Sequence, residues 1–157
     1  STDYVFDGVE TEHSVDETFA PLGVYGASKA AGDVAVAVAP KHYIVRTSWV
    51  VGDGPNFIRT MRSLAERDVE PAVVDDQVGR LTYADDLASG IVDLVRVRRP
   101  YGTYNVTSGG PARSWFEIAR EVYGEAGKDP GMVRPVSTEE YGTGKSLAPR
   151  PRNSTLS

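Results

Sequence analysis

The run Tyr43-Ile44-Val45-Arg46-Thr47-Ser48-Trp49-Val50-Val51 constrains the fold more than any other stretch. It is rich in β-branched and aromatic residues, which predicts a strand. A strand with one wet face alternates polar and apolar residues. This one is apolar on both faces, which suits a parallel sheet covered by helices.

The flanking patterns agree. Upstream, a helix is expected around Tyr25, running to about Ala39 and stopped by Pro40. Its small residues Gly26, Ala27, Ala30, Ala31 and Gly32 permit close approach to a neighbour, and its glycines leave stability to packing. Downstream, Gly52-Asp53-Gly54-Pro55 predicts a turn into a helix with Phe57, Ile58, Met61, Leu64 and Ala65 on its buried stripe. Ala72 to Val74 reads as a short strand, and residues 75–81 as a polar loop. Thr82 is the expected N-cap of the next helix, with Asp85 placed to reach back. Leu87, Ile91, Leu94 and Val95 form that helix's apolar face, with acids at its start and arginines at its end. Thr103 to Val106 is a further short strand. Ser114 and Glu117 predict a capping box for a fourth helix, with Trp115, Ile118, Ala119, Val122, Tyr123 and Ala126 on one stripe and Gly127 at its end. Beyond Val136 the Pro, Gly and Arg content predicts irregular chain. Strand and helix thus alternate throughout, and the expected class is α/β with a mainly parallel sheet.

Tyr4-Val5-Phe6 reads as the end of a buried strand and Asp7-Gly8 as the turn that leaves it. A strand end with nothing before it predicts that a preceding segment is missing. Residues 9–20 are polar and acidic, a surface loop closed by Pro21 and Gly23.

Chemistry first enters at Tyr25-Gly26-Ala27-Ser28-Lys29. Tyr25 and Lys29, four residues apart on a helix, share a face one turn apart. An ammonium beside a phenol favours the phenolate, so such a pair can exchange a proton with a carbonyl or hydroxyl near neutral pH. The spacing alone is common and specifies little. Ligands of parallel sheets bind off the carboxyl ends of strands. Thr2 and Asp3, beside the Tyr4–Phe6 segment, and Trp49, late in its own strand, are placed to line such a crevice.

Composition narrows the classes. The 157 residues make one domain or part of one. No apolar run approaches the ~18 residues of a membrane span, so no membrane association is expected. A net charge of −5 without a basic run argues against a nucleic-acid partner. Cysteine is absent, which favours a reducing compartment and a cytoplasmic location. His13 and His42 lack metal-ligand spacing, so no metal is expected.

Several motifs in order carry a family resemblance. Ser1-Thr2-Asp3-Tyr4-Val5-Phe6-Asp7-Gly8, then Pro21-Leu22-Gly23-Val24-Tyr25-Gly26-Ala27-Ser28-Lys29, then Val45-Arg46-Thr47-Ser48-Trp49-Val50-Val51-Gly52, resemble dTDP-4-dehydrorhamnose reductase. Asp75-Asp76-Gln77-Val78-Gly79-Arg80-Leu81-Thr82 and Arg150-Pro151-Arg152-Asn153-Ser154-Thr155-Leu156 look like the same family. It belongs to the extended short-chain dehydrogenase/reductases, so the resemblance implies a Rossmann-like core. It also implies reduction of the 4-keto group of a dTDP-linked 6-deoxyhexose by NADPH or NADH, giving dTDP-L-rhamnose.

By position, the resemblance makes Tyr25 the proton donor and Lys29 its partner on the nicotinamide ribose. It sets Thr2 beside the reacting carbonyl, Asp3 next to it at the sugar nucleotide, and Trp49 against the sugar. There are departures. No G-x-x-G-x-x-G dinucleotide loop occurs, Gly23 stands where Asn is usual, and Leu81 where Pro is usual. The resemblance therefore implies the second half of such a reductase without its last stretch. About residues 1–66 would complete the core, and about residues 67–157 would mix core and substrate-binding lobe. On its own such a fragment is expected to be inactive and to pair with a second copy or a separate N-terminal half. Two other readings are a non-catalytic module similar to the methionine adenosyltransferase β-subunit, and a superfamily reductase or epimerase for another sugar.

Overall fold

The computed structural model describes all 157 residues. Strand β1 (Tyr43–Arg46) pairs in parallel with β6 (Gly102–Asn105), Tyr43 opposite Gly102 and Arg46 opposite Asn105. Carbonyls alternate in direction along a strand. Those of His42 and Arg46 accept from Gly102 N and Val106 N on the β6 side. Those of Val45 and Thr47 point the other way, accepting from Ser1 N at 2.5 Å and Asp3 N at 3.1 Å. The N-terminal residues therefore lie on one side of β1 and β6 on the other. Further pairs join β2 (Val50–Val51) to β5 (Thr82–Tyr83) and β3 (Ala72–Val74) to β8 (Arg134–Val136), both parallel. Only β4 (Val78–Gly79) and β7 (Arg113–Ser114) run antiparallel. The α/β class and the mainly parallel pairing match the sequence expectation.

Five α-helices flank these pairs: α1 (Val24–Ala37), α2 (Phe57–Glu66), α3 (Ala84–Arg96), α4 (Trp115–Glu125) and α5 (Thr138–Gly142). Helices α2 and α4 both start at side-chain caps, of which the sequence predicts the second. The Asn56 side chain caps α2 by accepting from Arg59 N. Ser114 and Glu117 form the full capping box of α4, an arrangement of about 1 kcal/mol. Their stripes meet: Met61 and Ala65 of α2 pack with Val73, Ala119, Tyr123 and Val133 in the larger core. Tyr123 is fully buried and donates its hydroxyl proton to Val69 O at 2.7 Å. The smaller core gathers Val5, Phe6, Ala30 and Leu156 under the N-terminal segment.

Several boundaries differ from expectation. Tyr4–Phe6 is not a strand end. Asp3–Val5 is a 3-10 turn whose N-cap hydroxyl, Thr2, accepts from Tyr4 N; only Thr2 bridges to the sheet, opposite Thr47. Helix α1 ends at Ala37 rather than Ala39, because the residue before Pro40 is disfavoured in the helical region. The 43–51 run breaks between β1 and β2, where Trp49 turns left-handed at φ 46°. Thr82 is not an N-cap. Its N–H donates to Trp49 O, its side chain is buried in β5, and α3 begins after Tyr83 with no side-chain cap. The apolar face of α3 is not buried either. Ile91 and Val95 stay exposed, with Val92 beside them, because no element of the chain packs over them. Beyond Val136 the chain is more ordered than its composition predicts. Ser137 caps α5, and Leu156 and Asn153 bridge to His13 and Val78.

One ion pair locks α1 to β1. Arg46 and Asp33 are 3% and 6% exposed. Arg46 Nε donates to Asp33 Oδ2 at 3.0 Å, and another guanidinium N–H to Val15 O at 3.0 Å. The guanidinium carbon also lies 5.3 Å and 5.0 Å from the ring centroids of Phe6 and Phe19. Removing one partner of a buried pair strands the other's charge, at a cost of about 3–5 kcal/mol. Asp33→Ala should therefore lose that much in urea denaturation, whereas Asp33→Leu combined with Arg46→Met should recover most of it. A loss below about 1 kcal/mol for Asp33→Ala, the level of a surface pair, would refute the lock.

Candidate active site

A cleft of 460 Å³ opens at the carboxyl end of β1, where the N-terminal segment, the start of α1 and the loop after β1 converge. Thr2, Asp3, Tyr25 and Trp49 all line it. Four of the five residues singled out from sequence thus come together. The fifth, Lys29, does not touch the cleft; it sits half-buried one turn behind Tyr25 on α1. A second groove of 360 Å³, between α2 and α4, holds none of them.

The close approach of α1 to the 3-10 turn sets where Tyr25 stands. Gly26 is buried against Tyr4, and a Cβ there would sit 2.1 Å from Tyr4 O, so only glycine permits this contact. Tyr25 is 56% exposed toward the cleft. The Tyr4 ring braces it edge-on, with centroids 5.4 Å apart and an interplanar angle of 83°.

Thr2 and Asp3 are more enclosed than a strand-end reading implies. Thr2 Oγ1 accepts from Tyr4 N at 3.3 Å and donates to Asp3 Oδ1 at 3.1 Å. Asp3 is 2% exposed, and its Oδ2 has no partner in the chain. Burial raises the Asp3 pKa above 3.8, against the opposing hydrogen bond from Thr2. The buried hydroxyls of Thr47 and Ser48, at the floor of the same cleft, also lack partners.

Trp49 does not stand alone. Its indole stacks on that of Trp115, with centroids 3.7 Å apart and planes 14° from parallel. Gly79 abuts the same ring: a Cβ there would lie 2.8 Å from Trp49 Cε2. One face of the Trp49 indole is therefore covered by protein. Sequence reasoning missed Trp115 as a cleft residue because it continues the core stripe of α4. Its signal was its place as the first residue after a capping Ser, where a side chain projects past the helix end. Arg150, exposed at the cleft wall, was missed because its segment lacks periodic structure.

The histidines are accounted for by packing. His13 is fully buried and stacked on Phe6, and its ring nitrogens face Glu17 and Asn153 O. His42 is half-buried near the surface, with Nδ1 2.6 Å from Ala39 O. No group of three or more His, Asp or Glu side chains is placed to hold a metal ion, and no helix is long and apolar enough to cross a membrane.

The raised Asp3 pKa has a stability consequence. The folded chain binds this proton more tightly than the unfolded chain, so Asp3 favours folding at low pH. That contribution fades as pH rises from 3.8 through the folded value. Asp3→Asn, which stays neutral, should gain stability over the parent as pH rises. Urea midpoints at pH 4 and pH 8 measure this, and a difference that does not grow with pH would contradict it.

Comparison with known proteins fits this arrangement. The family model described as RmlD substrate binding domain matches residues 1–157. The dTDP-4-dehydrorhamnose reductase of Mycolicibacterium smegmatis is 41% identical over 162 residues, covering 100% of this chain and 48% of its own length. The dTDP-4-keto-6-deoxy-D-glucose reductase of Streptomyces niveus is 42% identical over 154 residues, covering 96% of this chain and 52% of its own length. A crystal structure of dTDP-4-dehydrorhamnose reductase from Bacillus anthracis, in complex with NADP, superposes with a TM-score of 0.90 at 42% identity. It covers 100% of this chain and 55% of its own. The chain thus spans about half the length of the relatives it matches, and with the family model matching along all 157 residues it belongs to the RmlD substrate binding domain family.

Proposed function

We propose that this chain carries the proton-donating and sugar-binding part of an NADPH- or NADH-dependent reductase that converts dTDP-4-dehydro-L-rhamnose to dTDP-L-rhamnose. The observation that carries the reading is the convergence of Thr2, Tyr25 and Trp49 on one cleft, with Lys29 a turn behind. About residues 1–66 act as part of the nucleotide-binding core, and about residues 67–157 mix core and substrate-binding lobe. The protein works in the cytoplasm, where nucleotide sugars and reduced nicotinamides are available.

The donor set suits a nicotinamide nucleotide at its ribose end. Lys29 offers an ammonium for ribose hydroxyls, and the partnerless Thr47 and Ser48 hydroxyls lie at the cleft floor. When bound, the nicotinamide supplies a hydride. The chain's own residues handle the charge that then develops on the keto oxygen. Tyr25 Oη–H donates to that oxygen and delivers the proton. Thr2 has one proton, which it donates to Asp3 Oδ1 while Asp3 is ionised. When Asp3 is protonated, its O–H can donate to Thr2 Oγ1, which frees the Thr2 proton for the substrate oxygen.

A non-catalytic module has no physical need of a phenol and a hydroxyl on one cleft with an ammonium a turn behind, so the enzyme reading is favoured. A reductase for a related dTDP-sugar is the nearest alternative, in line with the name of the Streptomyces niveus relative.

Two variants test the roles in the protein at its natural length. Tyr25→Phe keeps the ring and removes the proton, so turnover of the dTDP-4-keto-6-deoxysugar should fall about 10²- to 10⁴-fold, with cofactor affinity nearly unchanged. Turnover within a few-fold of the parent would remove Tyr25 as donor. Lys29→Met should weaken cofactor binding about ten- to a hundredfold by removing charged hydrogen bonds. Unchanged affinity in a cofactor titration would make Lys29 an ordinary surface residue.

A further inference from the structure

Trp115 belongs to the core by sequence and to the cleft by position. It is the first residue of α4, and three contacts hold that point still. Ser114 closes the capping box with Glu117, and Ser114 Oγ donates to Asp75 Oδ1 at 2.6 Å. The Trp115 ring leans on Phe57, with centroids 4.5 Å apart, and packs against the larger core. Its other side reaches the cleft.

Trp49 has the opposite character. It sits between two short strands and adopts φ 46°, a region that bulky L residues rarely enter. Such a conformation persists only where the surroundings over-determine it. Here the surroundings are Trp115 on the indole plane and Gly79, whose missing side chain leaves room for the ring.

We propose that Trp115 is a positioning residue for the sugar: it clamps the indole of Trp49, so that the cleft meets its ligand with a fixed aromatic pair instead of one mobile ring. The proposal rests on the reading of the cleft as a nucleotide-sugar site. A preset ring loses no rotamer freedom on binding, so its contact with the sugar is retained in full. The nucleotide part of the ligand gains nothing from the pair. Loss of Trp115 should therefore be felt by the sugar and not by the nucleotide.

The chain has two tryptophans, and they are the stacked pair. Their exciton couplet in the circular dichroism spectrum reports the stack without any ligand. Trp115→Leu fills the core side of the position without a ring plane, and Trp115→Phe restores a plane. In the protein at its natural length, the parent should show the couplet and both variants should lose it. Trp115→Leu should weaken dTDP-L-rhamnose binding about tenfold and raise KM for the keto sugar with kcat within a few-fold. Binding of dTDP alone should stay within about twofold, and Trp115→Phe should recover most of the sugar affinity. Equal losses for dTDP and dTDP-L-rhamnose, or no loss for either, would overturn the positioning role, as would a Trp115→Leu chain that fails to fold alongside a Trp115→Phe chain with the sugar affinity of neither parent nor partial recovery. A parent without the couplet would overturn the stack itself. A parent with the couplet that binds neither dTDP compound would overturn the reading of the cleft, and this proposal with it.

Discussion

The buried guanidinium of Arg46 is the point on which the cleft's geometry depends. It extends from β1, bonds Asp33 on α1 and Val15 O in the acidic loop, and lies against Phe6 and Phe19. Strand, helix, loop and N-terminal turn thus share one fixed charge. An uncompensated charge in that position would be expensive, so the four elements have little freedom to separate. Asp33 lies two turns along α1 from Tyr25 and one from Lys29, on the stripe that includes Gly26 and Ala30. Holding Asp33 therefore sets the rotation of the helix, and with it the direction in which Tyr25 faces.

Backbone packing completes what the ion pair begins. Gly26 lets α1 rest on the Tyr4 carbonyl, and the 3-10 turn carries Thr2 and Asp3 to the same place. Opposite, the break between β1 and β2 turns Trp49 toward Trp115 and Gly79. A single cleft thus receives a phenol, a threonine hydroxyl and an indole from separate parts of the chain, with an ammonium one turn behind. Each comes from an element that packing or hydrogen bonding holds, which is what a site that must position reacting atoms requires.

Local patterns in the sequence revealed the parts whose stability is local. The capping box at Ser114 and Glu117, the Met61–Ala65 stripe and the doubly apolar β1 run were all legible, because caps and periodicity act within a few residues. Tyr25, Lys29, Thr2 and Trp49 were found through ordered motifs, and the cleft collects all but Lys29. What was not legible depends on distant contacts. Nothing near Trp49 in sequence announces a left-handed backbone, and its ring contacts, Trp115 and Gly79, come from distant parts of the chain. Thr82 has the composition of an N-cap, yet Trp49 O claims its N–H and draws it into β5. The α3 face is periodic but uncovered, because periodicity marks a surface to be packed and does not supply the partner. Residues 151–156 lack any periodicity, yet Pro151, Ser154, Thr155 and Leu156 are buried, as bridges to His13 and Val78 draw the segment in.

The central claim is that the cleft at the carboxyl end of β1 is where the sugar sits. A crystal structure of the protein at its natural length with bound dTDP-L-rhamnose tests it most directly. The account predicts the sugar ring beside Trp49, with its C4 oxygen within hydrogen-bond reach of Tyr25 Oη and Thr2 Oγ1. A sugar bound in the groove between α2 and α4, or a C4 oxygen out of reach of both hydroxyls, would contradict it.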